Sequence, residues 1–198
     1  GKFGVRGGGY SMSNGGALKF SPSMWLQAKE PSTRIINMNH LGRVLLDYHD
    51  PAIEMLFVYN CNPVGTMPDQ NRVVRGLRRE DLFTVVFDQV ATDTAAFADI
   101  ILPATTFLES YDLVNSYGEM SLQMSRPVID SVGDARPNVE VFSELANRLG
   151  FDETETDAEV LLRVTSTMPD NIRDNILEHG SVSSSINARP VQFVDVKP

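Results

Sequence analysis

Two short apolar runs end in polar side chains suited to binding. Met55-Leu56-Phe57-Val58-Tyr59 stops at Asn60-Cys61-Asn62-Pro63, and Leu82-Phe83-Thr84-Val85-Val86-Phe87 stops at Asp88-Gln89, with Thr92 and Asp93 just beyond. The Asn62 amide offers a donor and an acceptor together, which suits a purine edge or a ribose, and Asn60 has the same chemistry. Asp88 can accept two adjacent N–H donors at once, the pattern that guanine presents. Each residue also has a plainer reading. Asn before proline forms turns, an acid can simply end a strand, and Thr92 or Asp93 can cap a short helix over Thr94–Ala98.

Other reactive residue types lead nowhere. Cys61 is the one cysteine of the chain, which excludes an internal disulfide and any iron–sulfur cluster built from this sequence alone. It reads as a small residue lining a pocket or packing in the core. His40, His49 and His179 lie far apart without metal-ligand spacing. Asp99 precedes the apolar stretch Ile100–Leu102 and Glu109 follows it, so the two fall at opposite ends of a strand and are poorly placed for an acid–base pair.

The elements that position these residues follow from periodicity. Both apolar runs are rich in aromatic and β-branched residues and suit strands covered on two faces. Asp69–Arg79, with Val73, Val74 and Leu77 inward, reads as a helix between them. That makes a strand–helix–strand unit long enough for a right-handed parallel crossover, so both polar ends share one sheet edge, where open α/β sheets bind ligands. A third strand runs from about Ala98 to Pro103. Ile35–Tyr48 has helical spacing and is stopped by Asp50-Pro51. Pro137–Leu149 is the clearest helix, with Gly150 as its stop. Asp157–Met168 and Pro169–Glu178 read as two more helices, Tyr117–Glu119 as a turn, Met120–Val128 as an extended segment, Gly180–Ser185 as a polar linker and Val191–Val196 as a strand or connector.

At 198 residues and 42% hydrophobic content the chain can bury one sizeable core. No apolar stretch is long enough to span a membrane. The net charge of −9 argues against nonspecific nucleic-acid binding, and it is uneven: residues 1–80 carry +4 and residues 81–198 carry −13. Backbone N–H groups and helix N-termini can still receive a diphosphate. Gly4–Gly16 holds six glycines and reads as an irregular connector, matching neither a phosphate-binding loop nor a Gly-x-Gly-x-x-Gly turn. That absence opposes a nicotinamide-binding domain. The opening Gly1 reads as an internal cut in a longer polypeptide.

Asn-Cys-Asn-Pro at 60–63, Pro68-Asp69-Gln70-Asn71, Arg-Glu-Asp-Leu-Phe-Thr-Val-Val at 79–86, Thr92-Asp93-Thr94-Ala95, Ala98-Asp99-Ile100-Ile101-Leu102-Pro103-Ala104 and Leu108-Glu109 occur in this order. Together they resemble the third domain of the molybdopterin oxidoreductases, the dimethyl sulfoxide reductase superfamily, from Gly7 to about Gly150. The resemblance implies a three-layer, Rossmann-like α/β domain with a mainly parallel sheet. It places a glycine-rich lead-in over 1–30, the dinucleotide-binding domain over 31–150, and C-terminal helices with a connector toward a following domain over 151–198. It further implies a parent oxidoreductase carrying molybdenum or tungsten on two molybdopterin guanine dinucleotides, with this segment gripping the guanine end of one of them and being inactive by itself.

The residues implied are Asn60, Cys61, Asn62, Asp88, Gln89, Thr92, Asp93, Ser110 and Asn138. Many relatives place Lys and Asp at the last two positions, which leaves polar rather than ionic contacts there. A 4Fe-4S cluster would belong to other parts of the parent, as would the metal ligand. The expected partners are the remaining domains of the same polypeptide and an electron-transfer subunit, with no nucleic acid and no membrane span; the expected compartment is the cytoplasm. The competing reading is a cofactor-free structural domain of the same fold, as in the large iron–sulfur subunit of NADH dehydrogenase.

Overall fold

A computed structural model describes residues 33–115, 121–152 and 154–183. The glycine-rich lead-in, the Tyr117–Glu119 turn and the Val191–Val196 segment lie outside the described residues. The described residues form two compact units, one of residues 33–110 with 127–157 and one of 111–115 and 121–126 with 158–183. The fold is mixed α/β, with a three-stranded parallel sheet in the first unit and a three-stranded antiparallel sheet in the second.

In chain order the first unit contains α1 (Leu41–Asp47), β1 (Met55–Tyr59), α2 (Pro63–Thr66), α3 (Gln70–Leu77), β2 (Phe83–Asp88), a 3-10 turn at Asp93–Phe97, β3 (Ile100–Pro103) and α4 (Asn138–Arg148). The strands are ordered β1-β2-β3 and all run parallel, with Tyr59 opposite Phe87 and Phe87 opposite Leu102. Beyond β3, Ala104 forms a parallel bridge with Arg136, so the approach to α4 extends the sheet by one short stretch.

The two-residue period of a strand sorts the core by face. Leu56 turns toward Leu45, Val73 and Leu77 of α1 and α3, and Val58 meets Val86 and Ala95. On the other face, Phe57, Tyr59 and Phe87 hold the Phe142 ring of α4 at centroid distances of 5.8, 5.0 and 5.9 Å. Such ring pairs contribute about 0.5–1.5 kcal/mol each beyond the area they bury. Thus α1 and α3 pack on one face of the parallel sheet, and Phe142 of α4 on the other. Phe87, fully buried between two neighbouring strands, is its centre.

Helical structure in the first segment starts later than the periodicity of Ile35–Tyr48 implies. Ile35 is exposed, Asn37 caps a 3-10 turn at Met38–His40 through its side chain, and the α-helix begins only at Leu41. The cap wins because an Asn side chain satisfies a free N–H that a longer helix would need internally.

The second unit contains β4 (Asp112–Asn115), β5 (Ser121–Ser125), α5 (Asp157–Ser166), α6 (Asp170–His179) and β6 (Ser181–Ser183). Leu122, Leu161 and Ile176 are its buried apolar residues. The Gly180–Ser185 stretch is not simply a linker. Gly180 ends α6 in the left-handed conformation at φ 73°, and its carbonyl accepts the Met124 N–H at 2.8 Å, which starts the pairing of β6 with β5. Among the described residues no helix is long and apolar enough to cross a membrane.

The contact of α1 with α3 depends on two glycines. A β-carbon on Gly42 would lie 2.7 Å from the main-chain nitrogen of Val73, and one on Gly76 would lie 2.6 Å from Cβ of Leu45. Helix propensity alone favours Ala over Gly by about 1 kcal/mol. The clash is with main chain, which cannot rotate away, so Gly42→Ala is expected to destabilise the protein by about 1–3 kcal/mol. Urea denaturation reads the sign directly, and an unchanged or higher midpoint would show that the two helices have room to separate.

Candidate functional site

The parallel register brings the ends of β1 and β2 level. The Asn60 N–H donates to the Phe87 carbonyl at 3.1 Å and the Ala104 N–H donates to the Asp88 carbonyl at 3.0 Å, so both outer chains stay on the central strand one residue past their own strands. Adjacent strands lie about 4.8 Å apart. Asn60, Asp88 and the Ala104–Arg136 bridge therefore form a row along one edge, and Arg136 leads within two residues to Asn138 at the start of α4.

Asn60 sits in the left-handed region at φ 50°, where a short polar side chain is tolerated, and that side chain is exposed. Cys61 is half-buried against Val58, Val86 and Ala95. Asn62 turns inward. Its Oδ1 accepts the Thr94 hydroxyl at 2.7 Å and the Thr94 N–H at 3.3 Å, while Nδ2 donates to Asp93 Oδ2 at 3.4 Å. Buried Thr94 in turn accepts the Val64 N–H at 3.1 Å. The amide thus ties the turn after β1 to the turn after β2. Gly65 makes room for it, since a β-carbon there would lie 2.7 Å from Nδ2.

Asp88 is half-buried, and its Oδ1 accepts the N–H of Gln89 at 2.7 Å. Among the described residues its second oxygen receives no hydrogen bond. Gln89 is exposed on the bend that follows. Thr92 begins the 3-10 turn, yet neither it nor Asp93 caps the turn through its side chain. The Thr92 hydroxyl is sealed from solvent without a partner among the described residues, and so is the Asn138 Oδ1. Ser110 donates its hydroxyl to the Thr106 carbonyl at 3.0 Å. Six of the nine positions thus follow β1 and β2, Asp88 ends β2, Asn138 opens α4, and Ser110 closes the loop after β3.

Thr94 and Glu109 organise this edge and were not among the expected site residues. Glu109 is buried; its Oε2 accepts the Thr106 N–H at 2.8 Å and the Thr106 hydroxyl at 2.6 Å, and its Oε1 accepts the Val132 N–H at 2.7 Å. The Thr-x-x-Glu spacing at 106–109 is the sequence signal for a carboxylate that reaches back to the N–H three residues earlier. These hydrogen bonds, the Thr106 hydroxyl first, hold the Glu109 carboxyl below the usual carboxylate range. Asp99 is remote from it. Asp99 Oδ2 accepts the Thr84 N–H at 2.7 Å near the start of β2, at the other end of the sheet. Among the described residues no group of three or more His, Cys, Asp or Glu side chains is arranged to hold a metal ion.

The profile of the family described as Molybdopterin oxidoreductase matches residues 32–148. Probable oxidoreductase YoaE of Bacillus subtilis (strain 168) is 44% identical over 170 residues, covering 83% of this chain and 25% of that protein. Dimethyl sulfoxide/trimethylamine N-oxide reductase of Rhodobacter capsulatus is 27% identical over 188 residues, covering 79% of this chain and 23% of that protein. Among solved structures, acetylene hydratase from Pelobacter acetylenicus superposes with a TM-score of 0.58 at 23% identity, covering 76% of this chain and 21% of that chain, a likeness of fold. The chain spans about a quarter of the length of these curated relatives.

Two outcomes follow from the hydrogen bonds at this edge. Asn62→Ala leaves the Thr94 N–H and Asp93 without their shared partner and is expected to destabilise the protein by about 1–3 kcal/mol in urea denaturation; no change would mean that the amide bridge is idle. Glu109 titrates lower in the folded than in the unfolded protein. Its contribution is therefore complete above the unfolded value of about 4.3 and is lost as pH falls through the lowered folded value. The melting temperature of Glu109→Gln should lie a few degrees below wild type at pH 7, with the gap closing between about pH 5 and 3. A gap that stays constant over that range would show that the carboxylate charge is not what holds the two loops.

Proposed function

This chain belongs to the molybdopterin oxidoreductase family, and from that premise we propose that its parallel-sheet unit is a Rossmann-like, three-layer domain that grips the guanine and ribose end of one molybdopterin guanine dinucleotide. The observation that carries the reading is the row at the carboxyl edge, where Asp88 presents a carboxylate oxygen that takes no donor from the described residues. One carboxylate can accept the adjacent N1–H and N2–H₂ donors of guanine together. Thr92 and Asn138 fit the same ligand class. A buried hydroxyl or carbonyl oxygen without a partner costs about 1–3 kcal/mol, and a polar ligand or an ordered water would relieve it.

Under this reading the residues divide by role. Asp88 reads the base; exposed Gln89 offers a further donor and acceptor to base or ribose; Thr92 and Asn138, whose oxygens are closed to solvent, reach the ligand with a small movement of their loops; and Asn60 and Cys61 shape the floor. Asn62, Asp93 and Ser110 stand at the same edge with side chains already engaged within the protein. When bound in the parent, the group supplies two-electron redox chemistry at molybdenum or tungsten, while the protein supplies binding and orientation. This chain provides no catalytic residue, and the metal ligand, the remaining domains and any 4Fe-4S cluster or electron-transfer subunit are contributed by the rest of the assembly.

One observation favours a second reading. The Asn62 amide, a good purine reader in principle, is taken up by Thr94 and Asp93, as suits a cofactor-free structural domain in an electron-transfer complex such as the large subunit of NADH dehydrogenase. Asp88→Asn in the full-length protein separates the two. With the dinucleotide reading, guanine nucleotide released per folded polypeptide should fall severalfold relative to wild type. Equal release from variant and wild type would remove Asp88 from the site, and a wild-type protein free of pterin and metal would establish the structural alternative.

A further inference from the structure

We propose that Glu109 is a positioning residue for this edge: its carboxylate clamps the loop after β3 to the approach of α4 and thereby sets where Asn138 stands relative to Asp88. The inference rests on the dinucleotide reading of that edge.

Glu109 is 7% exposed, and its two oxygens work on different segments. Oε2 closes the Thr106–Glu109 turn, while Oε1 reaches across to the Val132 N–H. The Val132 side then passes through Ala135 to Arg136, whose N–H donates to the Pro103 carbonyl at 3.1 Å, and two residues later α4 opens with Asn138. The segment is held in three places: by the Leu108 carbonyl, which accepts the N–H of Val128 at 2.8 Å and of Ile129 at 3.3 Å; by Glu109 at Val132; and by the strand-like bridge at Arg136. Glu109 is the one side-chain member of that set.

The chemistry requires an acid. A carboxylate presents acceptors at both ends, whereas a Gln amide of the same shape presents an oxygen at one end and an NH₂ at the other. In Glu109→Gln one segment therefore faces N–H against N–H and must move. Glu109 belongs to neither apolar cluster of the unit, and the main-chain bonds at Leu108 and Arg136 do not depend on it. Its loss should shift the loop pair while leaving the sheet and its helices folded.

The experiment compares wild type, Asp88→Asn and Glu109→Gln in the full-length protein. It reads guanine nucleotide released per folded polypeptide, the urea midpoint, and hydrogen exchange at the Thr106 and Val132 amides. Glu109→Gln is expected to speed exchange at one or both amides and to lower nucleotide retention by about tenfold, the scale seen when an outer-shell partner of a bound group is removed, with a loss larger than its midpoint shift explains. Normal nucleotide content in Glu109→Gln beside a depleted Asp88→Asn would overturn the positioning role and leave the site reading intact. Depletion that merely follows a lowered midpoint would overturn it too, as a purely structural effect. Normal content in Asp88→Asn removes the underlying reading and this inference with it. Should Glu109→Gln fail to fold, Thr106→Val, which deletes one donor to the same carboxylate, must reproduce the exchange and retention changes in weaker form, and an unaltered Thr106→Val counts against the proposal.

Discussion

The parallel pairing of β2 with both of its neighbours is the constraint on which the rest of the first unit depends. A parallel ladder fixes side-chain facing as well as spacing, because a slip of one residue exchanges the two faces. With Tyr59, Phe87 and Leu102 in register, Phe57, Tyr59 and Phe87 together receive Phe142, while Leu56 and Val58 remain available to the opposite helical layer and the 3-10 turn. The same register makes the strands finish together. Their last hydrogen bonds, from Asn60 to Phe87 and from Ala104 to Asp88, carry three separate stretches of chain onto one edge before any loop begins.

Polar residues at that edge then fall into two groups with different energetics. Asn62, Glu109 and Ser110 are satisfied within the protein, each closing a turn or joining two loops. Asp88 Oδ2, Thr92 Oγ1 and Asn138 Oδ1 take no hydrogen bond from the described residues. The first group stabilises the loops that carry the second. Because a satisfied buried amide or carboxylate is expensive to disturb, the loops keep their shape while carrying atoms that lack partners.

Much of this was legible in the sequence, and the reasons are local. The parallel strands and α3, α4, α5 and α6 lie where apolar periodicity and Gly or Pro punctuation put them, because in each case pattern and propensity agree. The level strand ends followed from the same runs, as two strands joined by a crossover helix must present their carboxyl ends together. What escaped was set by contacts distant in sequence. Ser181–Ser183 lacks strand composition and becomes β6 only because Gly180 turns the chain back beside β5. The inward turn of Asn62 depends on Thr94, thirty-two residues away, and no spacing around Asn62-Pro63 announces that partner. In the sequence Glu109 stands out only as half of a poorly placed acid–base pair; its Thr-x-x-Glu spacing could have flagged the local turn, whereas its second arm to Val132 has no sequence signal.

Charge bears on which end of a dinucleotide this edge suits. Arg136, the cation nearest in sequence to Asn138, is held by Glu144 at 2.6 Å with Glu140 at 3.9 Å, and Glu144 also engages Arg148. Arg72 pairs with Asp47 at 2.5 Å and Arg79 with Asp81 at 2.6 Å. These guanidinium groups already have carboxylate partners, and recruiting one to a diphosphate would strand a carboxylate in its place. The edge itself contributes Asp88 and Asp93, which repel phosphate and accept N–H. Under the dinucleotide reading, carboxylates at this edge suit the neutral, donor-rich face of a base better than a diphosphate. Backbone N–H groups and the parts of the related polypeptides that this chain does not span are then sources from which positive charge for the phosphates can be drawn.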